Sequence, residues 1–486
     1  MKQLTLLLLV FLLTLLGCNN PADPTGNGED GDGDGATSPL RGWSAVYAFE
    51  GISDFTLEDS FATSDGGEVF VGWSTDSGSD ALVMKVDEDG APLWARRLDS
   101  AGFELATSGV EAPDGDLIVA GVAAEVTNQF GLLMLRFAAD GALESSYAVD
   151  MTDSADVPVA VFVDDGDLLI TGNLMDSTLT QAEDAFAYRV GAIPANISEA
   201  DSGIFETFDV DNNSATHVYD AVLHESEVLL AVASDTNSGG STTDAALVSL
   251  SPNINDGSPP RLAAVMGSNT SYPLGDDRFT DLGVLSNGDV LAVGTTDSFS
   301  PAVRDDDMWA ARLTYDESDS TTPWDAVWQK IYVGAEDDRA RALVETNEGY
   351  AIAGTTGSYG AGGTDAWIVE IHTDGSVLDQ YALGGSSDEG LIGVEPAVGG
   401  GFTFAGTTAS FSPPSLPAQA WAVRGTPALA LPDSLRSDTD ATVSSTFTAV
   451  ETMLTQFGDE SRKTTLVEID LSTLTSTPIS VEFEKQ

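Results

Sequence analysis

Residues 60–98 read SFATSDGGEVFVGWSTDSGSDALVMKVDEDGAPLWARRL. Length, β-branching and turn chemistry divide this stretch into four short strands. The first, at 61–63, turns at Asp65-Gly66-Gly67, and residues 68–73 form the second. A polar loop leads to the third at 80–86, and Asp87-Glu88-Asp89-Gly90 turns into the fourth at 93–98. Asp-Gly and Gly-Gly supply the positive-φ residues that tight hairpins need.

The second strand closes on Val69-Phe70-Val71-Gly72, and that closure recurs six times along the chain. The later ones are Ile118-Val119-Ala120-Gly121, Leu169-Ile170-Thr171-Gly172 and Leu230-Ala231-Val232-Ala233. Then follow Leu291-Ala292-Val293-Gly294, Ala351-Ile352-Ala353-Gly354 and Thr403-Phe404-Ala405-Gly406. A spacing of roughly 50 to 60 residues between units of short strands is the period of a propeller blade. The reading is therefore all-β: a β-propeller of four-stranded blades, seven in number, with an eighth as the rival. Turns at Asp114-Gly115, Asp165-Gly166, Asn287-Gly288, Glu348-Gly349 and Gly399-Gly400 repeat the pattern, and third strands open at Asp184, Asp244, Asp307 and Asp365. The fourth unit diverges most, with Ala233 in place of glycine and His224-Glu225-Ser226 in place of the turn.

The segment Asn347-Glu348-Gly349-Tyr350-Ala351-Ile352-Ala353-Gly354-Thr355-Thr356-Gly357-Ser358, followed by Asp365-Ala366-Trp367-Ile368-Val369, resembles the propeller repeats of bacterial and archaeal secreted proteins (quinoprotein-like or SBBP-type repeats). The likeness covers about residues 43–426 and implies the fold more than any activity. Residues 43–49 look like a fourth strand with no blade before it. They are expected to complete the last unit and so close the ring. Residues 427–486 lack the turn glycines and read as an appended β segment or a degenerate eighth blade.

The N-terminus reads as a targeting segment. Lys2 precedes an apolar run, Leu4 to Leu16, that is short for a membrane span. Leu15-Leu16-Gly17-Cys18 resembles the lipobox of bacterial lipoproteins, which implies cleavage after residue 17 and lipidation of Cys18. Cys18 is the only cysteine, so structural disulfides are impossible. Asn19 after it, rather than Asp, implies the outer membrane or cell surface. Residues 18–42 are rich in Gly, Asp and Pro and read as a solvated tether. Within them, Asp30-Gly31-Asp32-Gly33-Asp34-Gly35 opens like a calcium loop, but Arg41 occupies the position of the closing acid.

The chain carries 78 acidic and 19 basic residues in 486, a net charge of −59. That charge disfavours nucleic acid and anionic membrane surfaces as partners. A monomer is expected.

Some 16 to 18 residues before each closing glycine an acid recurs: Asp54, Glu104, Asp156, Asp277, Asp338 and Asp388, with Thr216-His217 in the fourth unit. If these loops converge, the acids form a carboxylate ring that Ca²⁺ would neutralise. The alternative is that each one caps a turn at a strand entrance. Asp209, Asp211, Asn213 and Asp220 form a second candidate calcium loop. The histidines are only His217, His224 and His372, and no zinc motif is present. Asp89-Gly90…Trp94 is similar to segments of quinoprotein blades and to the Asp-box turn of sialidases. The arginines, however, look dispersed in sequence, and no cysteine pair exists.

The expectation is a surface-anchored, non-enzymatic propeller that binds a protein, a glycan or a divalent cation. The alternative is an enzyme of polysaccharide or quinone chemistry on the same scaffold. Acids converging in a concave channel favour hydrolysis, whereas a flat acidic rim favours binding.

Overall fold

The computed structural model describes residues 42–74, 79–100, 102–124, 130–176, 179, 182–194, 197–208, 216–224, 227–234, 243–251, 261–266, 275–298, 305–315, 324–398, 400–414, 416–426, 429, 431, 435–437, 442–444, 467–468 and 474–485. The leader, Cys18 and the acidic tether lie outside these residues, as does the whole 209–213 loop.

Seven antiparallel blades form a β-propeller. Their innermost strands, blades 1 to 7, are Phe55–Ala62, Phe103–Glu111, Ala155–Asp164, Thr216–His224, Asp277–Val284, Asp338–Glu345 and Glu389–Pro396. Each innermost strand neighbours the next, and the seventh neighbours the first, so the ring is closed. Seven large apolar clusters each bridge two adjacent blades. The two middle strands of a blade are therefore covered on both faces. Asp80–Val86 and Leu117–Ala124 are buried along their whole length, whereas the outer strand Pro92–Asp99 keeps an exposed side. This is why the middle strands read in the sequence as unbroken apolar runs.

The Asp-Gly…Trp grammar is a blade-to-blade stitch. Gly90, at φ +80°, lies under the ring of Trp43, and a Cβ there would come within 2.5 Å of it. Gly141 sits in the same way under Trp94, and Gly375 under Trp328. Tyr47 Oη donates to the Gly90 carbonyl at 2.8 Å, and Tyr332 Oη donates to that of Gly375 at 3.0 Å. Glycine is needed twice over at these turns, for the left-handed backbone and for the ring above it.

Trp43–Phe49 completes blade 7 as expected, pairing with Gln419–Gly425. Its other edge pairs with Val481–Lys485, so the N-terminal strand of the ring is held between two late segments. Further short strands add to the outer edges of other blades. Arg436–Ser437 joins blade 6, Thr442–Ser444 blade 5, Val467–Glu468 blade 2 and Thr475–Pro478 blade 1. In chain order these pairings run backwards round the ring. They cap outer strands that would otherwise present unpaired N–H and C=O groups.

Candidate active site

Every innermost strand carries one β-bulge at the same point. The extra residues are Glu58, Thr107, Val159, Tyr219, Thr280, Arg341 and Ile392. A bulge lifts its extra residue out of the ladder and re-aims the side chain. Here the seven bulges surround a central cavity of about 660 Å³, lined by all seven innermost strands.

The bulge also accounts for the closing glycines. It turns the carbonyl two residues upstream onto the neighbouring strand, where only a Cα fits. A Cβ on Gly72 would lie 2.1 Å from the Thr56 carbonyl, and one on Gly294 2.0 Å from that of Arg278. One on Gly354 would lie 1.9 Å from the Arg339 carbonyl. Blade 4 departs from this scheme. Val232 stands opposite the residue before the bulge, so the expected closure at Ala233 is off by one position. In place of the glycine contact, Asn173 of blade 3 holds Val218. Val218 N donates to Asn173 Oδ1 at 2.7 Å, and Asn173 Nδ2 donates to the Val218 carbonyl at 2.9 Å.

Side chains at the bulge level break the sevenfold repetition. Blades 4, 5 and 6 line the cavity with a polar arc of Tyr219, Asp220, Asp281 and Arg341, and His217 and Arg278 stand two residues before the bulges of blades 4 and 5. Blade 1, on the far wall of a seven-blade ring, contributes Glu58 and Asp59. Blades 3 and 7 contribute only the apolar Val159 and Ile392 at this level.

The three aspartates directly follow their bulges and reach across to the next blade. Asp59 Oδ2 accepts from Gly109 N at 2.8 Å, Asp220 Oδ2 from Leu282 N at 2.8 Å, and Asp281 Oδ2 from Leu343 N at 2.6 Å. Burial pushes the Asp59 carboxyl up to about 7, with hydrogen bonds to Gly109 and Ser60 opposing. Asp220 and Asp281 are both raised, first by burial. They also hydrogen-bond to each other, which two carboxylates can do only by sharing a proton.

Glu58 is raised by burial, but the Trp73 indole and the Arg341 charge pull it back down. Trp73 Nε1 donates to Glu58 Oε1 at 2.8 Å. Burial, then the Arg278 charge, depresses His217 to about 4, so it is neutral at physiological pH. Its ring lies 4.4 Å from that of Tyr219, centroid to centroid.

The acids expected to form a calcium ring are held within their own blades. Asp156 accepts from Met151 N and Thr152 Oγ1, Asp277 from Thr296 Oγ1 and Ser298 Oγ, and Asp338 from Thr356 Oγ1 and Ser358 Oγ. Glu104 accepts from Ser100 N and Ser100 Oγ. In blade 7 the equivalent residue is Glu389, which accepts from Gly385 N, Thr408 Oγ1 and Ser410 N. Asp388, one residue before it, is exposed and accepts from Thr364 N. Asp54 is also exposed and precedes the position filled by Phe55. Among the described residues, no group of three or more His, Cys, Asp or Glu side chains is arranged to hold a metal ion. Of the second candidate loop, Asp209, Asp211 and Asn213 lie outside the described residues, and Asp220 belongs to the channel.

The arginines that look dispersed in sequence are in part brought together. Arg278, Arg339 and Arg341 come from adjacent blades and lie within electrostatic reach of one another. The channel residues themselves went unread. Their signal is a position about a dozen residues before each closing glycine, where the side-chain type changes from blade to blade.

No protein-family model matches the chain, and no curated protein does. Solved structures similar to it include the β-propeller domain of the trilobed protease from Pyrococcus furiosus, at 11% identity over 77% of this chain and 96% of that one, TM-score 0.42. The α-L-arabinofuranosidase of Fusarium graminearum in complex with an iminosugar inhibitor matches at 9% identity over 65% and 91%, TM-score 0.42. A polysaccharide lyase acting as an ulvan lyase matches at 10% over 66% and 79%, TM-score 0.41. The likeness is one of fold. The expectation of a non-enzymatic module is nevertheless corrected by the cavity itself: the acids of this channel converge in a concave space, not on a flat rim, which is the arrangement that favours the enzymatic alternative.

Proposed function

We propose that this protein is a propeller enzyme that cleaves a polysaccharide in its central channel. The observation that carries this reading is the convergence of carboxyl groups from opposite walls of one channel. On blades 4 and 5, Asp220 and Asp281 share a proton in a buried setting and supply a general acid. On blade 1, Glu58, raised by burial against the opposing pull of Trp73 and Arg341, supplies the base or nucleophile. Breaking a glycosidic bond needs both, one protonating the leaving oxygen while the other acts on the opposite side of the sugar ring. Tyr219, beside His217, offers an aromatic face for the sugar between them.

In this reading Cys18 is the lipidated residue of the mature chain. The propeller is tethered at the outer membrane or cell surface, where polysaccharide is met.

The interblade hydrogen bonds of Asp220 and Asp281 favour a second reading, in which these carboxyls only staple blades. Reducing-end release from a panel of polysaccharides separates the two. Glu58→Gln and Asp281→Asn keep size and hydrogen bonding. If these residues cleave, each variant loses at least about 100-fold in rate while melting like the parent. Release unchanged in both variants, or absent with every polysaccharide, refutes the reading.

A further inference from the structure

In a chain of 78 acids and 19 bases, nearly every cation should find a carboxylate. Arg97, Arg136, Arg189, Arg312 and Arg339 all do. Arg278 and Arg341 do not. Among the described residues neither side chain forms an ion pair or a hydrogen bond, although Arg341 lines the central cavity and Arg278, half-buried, lies within its electrostatic reach. Arg339, fixed by Asp306 at 2.6 Å and Asp337 at 2.7 Å, adds its charge from the same arc. Glu58 faces Arg341 without closing an ion pair with it.

Like charges gathered in a partly desolvated channel repel, and the cost is relieved when an anion arrives. The strain shows in Arg341, whose guanidinium is pushed down by burial and then by the Arg278 and Arg339 charges. His217, neutral beside Arg278, adds no further positive charge, and its ring backs Tyr219. Arg278 lies two residues before its bulge, and Arg341 lies at its own. On parallel strands this offset is about 7 Å, the span of one sugar ring with its substituent.

We propose that Arg278 and Arg341, with Tyr219 beside them, form an oxyanion subsite, and that the glycan drawn into the channel is anionic, bearing a carboxylate or sulfate on the sugar that docks there. The subsite stands on its own geometry; that the bound glycan is also cleaved rests on the function proposed above. The guanidiniums take the charged group, Tyr219 takes the face of the ring, and the next linkage falls between Glu58 and the Asp220–Asp281 pair. The protein's negative field makes this discriminating. At a net charge of −59 the long-range field repels anions, so binding depends on the local pair and not on long-range attraction.

The test is calorimetric titration of the full chain with three probes of matched length: an oligogalacturonate, a sulfated oligosaccharide and a neutral oligosaccharide. At least one anionic probe should bind about tenfold or more tightly than the neutral one. Arg278→Ala and Arg341→Ala should each remove most of that preference, and Arg341→Lys should restore part of it. Neither arginine has a described partner and the two repel, so melting should not fall in either variant. Equal binding of all three probes, no binding by either anionic probe at millimolar concentration, or a preference unchanged in both alanine variants overturns the proposal. Anion-selective binding without release of reducing ends keeps the subsite and rejects the enzyme. Release from neutral glycans alone does the reverse.

Discussion

Replacing Asp59 by asparagine isolates one of the staples that carry the channel. In the folded protein this half-buried carboxyl is raised from 3.8 to about 7. Between those values the native state therefore holds a proton that the unfolded chain has released. Stability is fully present below about 4 and falls as pH rises towards 7. The interval corresponds to about 4 kcal/mol, and water reaching the carboxyl from the channel reduces the expected loss to about 2 kcal/mol. Asparagine has no proton to lose and still offers an oxygen to Gly109 N, which donates to Asp59 Oδ2 at 2.8 Å. Urea unfolding of parent and Asp59→Asn at pH 5 and pH 8, which spans a little over half of that titration, should thus shift in the variant's favour by about 1 kcal/mol at the higher pH. Asp59→Ala should behave differently, costing about 1 to 3 kcal/mol already at pH 5 because the Gly109 N–H loses its acceptor. If the parent and the asparagine variant change in parallel with pH, the assignment of a buried, protonated staple is wrong.

Gly354→Ala places a methyl 1.9 Å from the Arg339 carbonyl. It should cost about 2 kcal/mol or more in urea unfolding and weaken anion binding through Arg341; a silent substitution would break the link between closing glycine and bulge. Truncation after residue 426 removes the strand that backs Trp43–Phe49 and the outer strands of four further blades. The expected result is a lower melting temperature together with aggregation in light scattering. Activity should fall on the alkaline side as the proton shared by Asp220 and Asp281 is lost, seen as a decline in kcat/KM with rising pH; Asp281→Asn should remove that limb along with the activity.

The architecture was legible because it is repetitive. Middle strands such as Leu117–Ala124 are covered on both faces, so they appear as apolar runs, and the positive-φ glycines after them mark the turns. The closing glycines could be counted without knowing their cause, which is a carbonyl from the bulge in the neighbouring strand. Blade 4 misled by one position because Val232 faces an Asn173-held strand and needs no glycine.

The same regularity drew the eye to acids that cap turns, the alternative already open for them. Glu104, Asp156, Asp277 and Asp338 recur because every blade needs its entry turn capped, so their repetition marks scaffold. The channel residues are single substitutions at one bulge level of seven strands, from Glu58 to Ile392. Only ring closure brings them together, and what distinguishes them is that they differ from blade to blade.

The most direct measurement is a crystal structure of Glu58→Gln soaked with an acidic oligosaccharide long enough to span the cavity. Sugar density is expected in the central channel, with its anionic group against Arg278 and Arg341 and a glycosidic oxygen between residue 58 and the Asp220–Asp281 pair. Sugar bound on an outer blade edge, with the channel holding only water, would contradict it.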